Sequence, residues 1–118
     1  MLWTCSLSSV KKKEVKLKPY YVIRNHGNDV VVPDKIDLEQ YRNGLLTWQG
    51  FKVNYLAKLM RPEAEEWMKG VANEAVSNDV VLVSDEENVE NYYRTFLAEM
   101  MNSMFSGRMK LRYMGECK

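Results

Sequence analysis

Four apolar residues in a row, Val80-Val81-Leu82-Val83, follow Asp79 and stop abruptly at Ser84-Asp85-Glu86-Glu87-Asn88. A helical pattern then opens through Tyr92, Tyr93 and Arg94. A run of that length reads as a strand, the acidic stretch as a turn, and the tyrosine-arginine segment as a helix start. In open α/β sheets, ligands lie in the crevice beyond the carboxyl ends of the strands. This junction is therefore where a site is expected.

The segments on either side supply the rest of the sheet and its helices. Leu2–Leu7 reads as a first strand, followed by a loop, Ser8–Lys18, whose end Pro19 marks. Tyr20–Ile23 is aromatic and β-branched and reads as a second strand; Arg24–Asp29 is turn chemistry, and Val30–Val32 reads as a short strand before Pro33. The middle is helical. Asp37 caps a short helix, Leu38–Asn43, closed by Gly44, and Thr47 is an N-cap for a helix with Trp48, Phe51, Tyr55, Leu56 and Leu59 on one face. Pro62 suits the first turn of the next helix, which buries Ala64, Trp67, Met68, Val71 and Ala75. Gly70, inside it, costs about 1 kcal/mol relative to alanine and suggests a close packing contact.

After the Asp79–Val83 strand, Tyr93, Phe96, Leu97, Met100, Met101 and Met104 recur at helical spacing and are read as core. Arg108–Tyr113 alternates basic and apolar residues, which reads as a half-buried edge strand with Met109, Leu111 and Tyr113 inward. The fold class is therefore α/β: a small, mostly parallel sheet with helices packed on its faces, in a single domain over residues 1–118.

Composition narrows the class. With 46% hydrophobic and 28% charged residues, the chain is of ordinary globular type. No apolar run approaches the ~20 residues of a membrane span. The basic residues come after the apolar N-terminal stretch instead of preceding it, so no signal peptide is read and a cytoplasmic setting is expected. Cys5 and Cys117 are too few for a disulfide framework or a zinc site and read as two reduced thiols. Residues 1–60 carry 10 Lys/Arg against 5 Asp/Glu, and residues 61–118 carry 7 against 11, an asymmetry that the net charge of +1 hides. Lys11-Lys12-Lys13, Lys16 and Lys18 read as a solvated loop, since no aromatic stacking partners are interleaved with them.

Tyr41-Arg42-Asn43-Gly44, then Thr47-Trp48 and Phe51, Tyr55-Leu56, Pro62-Glu63-Ala64 and Val80-Val81-Leu82-Val83 appear in an order and spacing that resembles the YeaO-like family, domain of unknown function 488. The similarity runs from about Tyr21 to Met101. The family's best-marked motif comes after the central strand: a cysteine, an aromatic, a glutamate, an acidic spacer, then Cys-His-Arg opening a helix. Here those positions are Ser84, Asp85, Glu86 and Tyr92-Tyr93-Arg94, so Glu86 and Arg94 match while the thiols and the imidazole are replaced. Arg24 matches the arginine of a serine-arginine pair that ends the family's second strand, with Ile23 in place of the small polar residue, and Thr4-Cys5-Ser6 keeps the first strand's polar end. The resemblance implies a fold and a pocket; the family carries no settled activity.

With three parallel strands side by side, Ser6, Arg24, Ser84, Glu86 and Arg94 would converge, with Tyr93 lining the same pocket. Two arginines at a helix N-terminus suit a phosphate or carboxylate. The same residues also fit an internal arrangement, Glu86 paired with Arg94 or Arg24 and holding the junction together without a ligand. The expected partner is a small anionic or nucleotide-like ligand, with no cofactor and no metal. Asp85, Glu86 and Glu87 lack the spaced ligands a cation needs. A second reading is a non-catalytic nucleic-acid or protein-interaction module using the lysine loop and the strand carrying Arg108, Lys110 and Arg112, whose nucleic-acid binding at a net charge of +1 is expected to be weak. A third gives Glu86, Tyr93 or His26 acid–base work, and the replaced thiol and imidazole count against it.

Overall fold

The computed structural model describes residues 1–12, 17–87 and 89–117. Four parallel strands, β1 (Leu2–Ser6), β2 (Lys18–Tyr21), β3 (Val80–Ser84) and β4 (Tyr113–Glu116), form one sheet in the order β2-β3-β1-β4. The helices are α1 (Leu7–Lys12), α2 (Lys35–Arg42), α3 (Trp48–Leu59), α4 (Pro62–Ser77) and α5 (Tyr93–Met109). Among the described residues, no helix is long and apolar enough to cross a membrane.

β3 is buried at every residue, as an inner strand covered on both faces must be. Its side chains alternate between two cores. Val80 and Leu82, with Leu2, join Tyr93, Leu97 and Met101 of α5 and the aromatic packing of α3. Val81 and Val83, with Cys5, join Leu7 and Val10 in a smaller cluster on the face covered by α1. The register sets Thr4 beside Leu82, Cys5 beside Val83 and Ser6 beside Ser84, so the inner strands end level at two serines.

Several sequence expectations hold. The strands at Leu2, Tyr20 and Val80 are parallel in one sheet, Thr47 Oγ1 accepts from the Gly50 amide at 3.0 Å, and Pro62 opens α4. Pro19 lies within β2, an edge strand, where a missing N–H is tolerated. Others need correction. Val30–Val32 is no strand: Asp29–Val31 forms a 3-10 turn that sends Val31 into the core, its carbonyl accepting from Tyr55 Oη at 2.5 Å. Packing decides here over the β-branched propensity of three valines. The short helix starts at Lys35 rather than Leu38, with Asp34 at its N-cap. The first part of the expected lysine loop is α1, and Lys13 and Lys16 lie outside the described residues. Gly70 makes no close contact, since an added Cβ would meet nothing within 4 Å.

The C-terminal correction matters most. Arg108–Tyr113 is not a strand; α5 runs on to Met109, Lys110 takes a left-handed φ of 53° as its C-cap, and the edge strand begins at Tyr113. Leu111 is buried and Met109 half-buried, as the alternation implied, but Arg108, Lys110 and Arg112 form no ladder along one strand face. Displacing the strand brings Cys117 alongside β1, where its amide donates to the Thr4 carbonyl at 2.7 Å. Cys5 and Cys117 are consequently joined in a disulfide, their Cα atoms 5.2 Å apart, instead of standing as two free thiols. A bridge spanning 112 residues restrains the unfolded chain by about 4–5 kcal/mol in the loop-entropy account.

Candidate functional site

Two segments meet at the carboxyl end of β3: the turn leaving the strand and the first residues of α5. Ser84 is fully buried and Glu86 is 7% exposed. The α5 N-cap, Tyr92, offers no side-chain acceptor to the helix's free amides. Glu86 supplies one from the preceding turn, its Oε1 accepting from the Tyr93 amide at 3.0 Å. A carboxylate there also meets the positive end of the helix dipole.

Arg94, 1% exposed, anchors the site. Its Nη1 donates to Ser84 Oγ at 2.8 Å and to the Glu86 main-chain carbonyl at 2.9 Å. Ser84 Oγ in turn donates to Glu86 Oε1 at 3.1 Å. The other edge of the guanidinium holds a different carboxylate: Nε and Nη2 donate to Glu116 Oε1 at 2.9 and 2.5 Å. Glu116 is fixed from behind, because Thr4 Oγ1 donates to its Oε2 at 2.6 Å and Tyr113 Oη pairs with Thr4 Oγ1 at 2.7 Å. The Tyr92 ring covers the guanidinium, centroid to Cζ 3.9 Å.

Burial pushes the Glu86 carboxyl up to about 7, against the lowering pull of Ser84, Arg94 and the Tyr93 amide. Arg42, on α2, adds a weaker lowering influence. Burial also pushes the Tyr93 phenol well above its ordinary range, and Tyr93 Oη donates to the Val22 carbonyl at 2.6 Å, away from Arg94.

The structure thus brings together Ser84, Glu86, Arg94 and the Tyr93 backbone. Ser6 lies on the adjoining rim, lining an open cleft of about 380 Å³ with Ser8, Ser9, Tyr92, Arg94 and Glu116. Glu87 and Cys117 are also on its wall, and Glu87 accepts from the Ser8 hydroxyl. Arg24 does not join them. It comes after the edge strand β2 and lines a separate cleft of about 120 Å³ with Arg42, Asp85 and Tyr93. Among the described residues its side-chain hydrogen bond goes to the Pro33 carbonyl at 3.5 Å. The expected convergence of both arginines fails because β2 stands one strand further from β1 than β3 does. The Tyr93 side chain belongs to the core and to this second cleft. His26 is exposed, its Nδ1 near the Arg24 carbonyl.

The internal reading of Arg94 also changes partner: its ion pair is with Glu116, while Glu86 offers it a main-chain carbonyl. Sequence reasoning missed Glu116, and named Thr4 only within the polar end of the first strand. The available signal was that Thr4-Cys5 and Glu116-Cys117 each place a polar residue before a cysteine, as strands joined at the cysteines would have them. Comparison of the chain with protein-family models, curated proteins and solved structures gives no match.

Proposed function

We propose that this chain is a YeaO-like α/β domain that binds a small anionic or nucleotide-like ligand in the cleft beyond the carboxyl ends of β1 and β3, with Arg94 as the anchor. One observation carries the reading: the bidentate edge of a fully buried arginine is filled by Glu116, a side chain 37% exposed on the cleft wall. Guanidinium forks match carboxylate and phosphate alike, so Glu116 stands where a ligand's acidic group would sit. Ser6, Ser8 and Ser9 line the same cleft; the Ser6 hydroxyl donates to Ser9 at 2.9 Å and that of Ser8 to Glu87, so Ser9 is the one of the three whose hydroxyl proton is offered to a ligand. Ser84 and Glu86 orient Arg94 from behind. Binding, not turnover, is the function proposed: Ser84, the hydroxyl that donates to Glu86, is fully buried and also accepts from Arg94. A cytoplasmic setting belongs to this reading; disulfides there are usually transient or redox-responsive.

The nucleic-acid alternative has less support, because Arg108 and Lys110 belong to the end of α5 and Lys18 pairs with Glu74 at 2.7 Å. Weak, steeply salt-dependent binding is expected of it.

Calorimetric titration of Glu116→Gln with inorganic pyrophosphate tests the proposal. The variant should bind at least tenfold more tightly than the wild-type chain, and Arg94→Lys added to it should abolish the gain, since lysine lacks the fork. A folded Glu116→Gln protein that takes up no pyrophosphate overturns it.

A further inference from the structure

The disulfide and the ion pair hold one short strand from opposite faces of the sheet. Glu116 ends β4 and Cys117 follows it, and their side chains leave on opposite sides of the sheet. Glu116 reaches the α5 face and meets Thr4 and Arg94. Cys117 reaches the other face and bonds Cys5, in the cluster under α1. β4 is an outermost strand of four residues that pairs only with β1. Its register shifts between Leu2 and Thr4, where Gly115 adopts φ +99°, so the ladder is irregular just before the residues carrying both links. Such an edge depends on its side-chain ties.

The two sulfur-bearing residues are unequally placed. Cys5 is fully buried beside Val81 and Val83. Cys117 is half-buried and lines the serine-rich cleft with Arg94. An incoming thiolate therefore meets Cys117, and Cys5 is the leaving group.

We propose that Cys5–Cys117 is a thiol–disulfide exchange site for a dithiol reductant entering through this cleft, and that its reduction releases β4 and draws Glu116 off Arg94. The reductant's thiolate bonds to Cys117 Sγ, the Cys5–Cys117 bond breaks, and Cys5 leaves with the electron pair and takes a proton. The reductant's second thiol then attacks the mixed disulfide, Cys117 leaves as a thiolate and is protonated, and the reductant departs as a disulfide. The protein gains two electrons and two protons. The consequence for ligand binding rests on the reading of Arg94 as the anion anchor: without Glu116, its fork faces the cleft. Reoxidation closes the site with the chain's own carboxylate.

The test uses the full chain, oxidised and then reduced with dithiothreitol. Backbone ¹⁵N heteronuclear NOE values at residues 114–117 should fall from rigid to flexible on reduction while those at residues 80–84 stay rigid, and Cys117→Ser should give the same pattern without reductant. Values at 114–117 that stay rigid in both samples overturn the proposal, as does the spectrum of an unfolded chain. Glutathione, a monothiol, should be trapped on Cys117 with Cys5 free, as read by peptide mass; an adduct on Cys5 overturns the entry route. Pyrophosphate separates the two readings. If β4 is released but neither reduced protein nor Glu116→Gln binds pyrophosphate, the exchange site stands and the anion reading fails. If Glu116→Gln binds it but β4 stays ordered on reduction, the anion reading stands and the exchange proposal fails.

Discussion

Arg24 and Arg94 each come after one of two neighbouring parallel strands, β2 and β3, yet among the described residues Arg94 is 1% exposed with four hydrogen-bonded contacts while Arg24 is half-buried with one, at 3.5 Å. The difference lies in what flanks each strand. β3 is an inner strand, so the chain leaving it passes under α5 and beside the end of β1, and β4 beyond β1 supplies a carboxylate. β2 is an edge, and the turn after it faces Pro33 and solvent. A buried guanidinium needs its charge matched and its donors satisfied, and only the inner position provides both. The lesson is that an arginine after a strand becomes a built site through the strand's rank in the sheet, which local sequence does not state.

The comparison is tested most severely by Arg94→Ala. Removing it leaves Ser84 and the Glu86 carbonyl without their donor and Glu116 without its partner, and the variant should lose about 3–5 kcal/mol in urea denaturation. A loss under about 1 kcal/mol would place Arg94 with Arg24, among surface charges.

The next effect is in pH. The folded pKa of Glu86 is raised by burial to about 7 from an ordinary 4.5. Its neutral form is therefore favoured by folding, and its contribution is fully present below pH 4.5 and lost as pH rises through 7. At about 1.4 kcal/mol per pKa unit, of order 3 kcal/mol is involved. Acidification from about pH 7.5 to about 5 should raise the melting temperature, and Glu86→Gln, which keeps the acceptor oxygen, should flatten that rise. A profile that is the same in both proteins would show that Glu86 titrates in water.

Smaller still is the coupling across the guanidinium fork. A double-mutant cycle of Arg94→Lys with Glu116→Gln should give about 1–2 kcal/mol, whereas Arg94→Lys with Glu87→Gln should give none, since Glu87 is held by Ser8 instead. At the bottom of the scale, Arg24→Ala should change stability by under about 0.5 kcal/mol; a loss several times larger would mean that Arg24 is tied down as firmly as Arg94.

How much of this was legible in the sequence differs along the chain. The run Val80–Val83 announces β3 because an inner parallel strand is apolar on both sides, and Thr47 and Pro62 announce their helices through local capping chemistry. Ser84, Glu86 and Arg94 fall together because they lie within eleven positions of one strand–turn–helix unit. The other half of the site was not legible. Glu116 meets Arg94 across 22 residues, and only after α5 has run beyond Gly107 to Met109. The alternation at Arg108–Tyr113 marks the inward residues correctly but implies the wrong conformation, since a helix end and an extended segment can both bury Leu111 and half-bury Met109. Cys5 and Cys117 are separated by 112 residues and meet only through the parallel register of β1 and β4.

The central claim is that Glu116 occupies an anion site on Arg94. It is tested most directly by the Nε–Hε resonance of Arg94, a buried proton observed in ¹⁵N-labelled protein. In oxidised wild type this signal should be indifferent to inorganic phosphate, because Glu116 holds the fork. In Glu116→Gln it should move and saturate as phosphate takes the position the wild-type carboxylate holds. A signal that stays fixed in both proteins across the titration would contradict the account and leave Arg94 as a structural arginine.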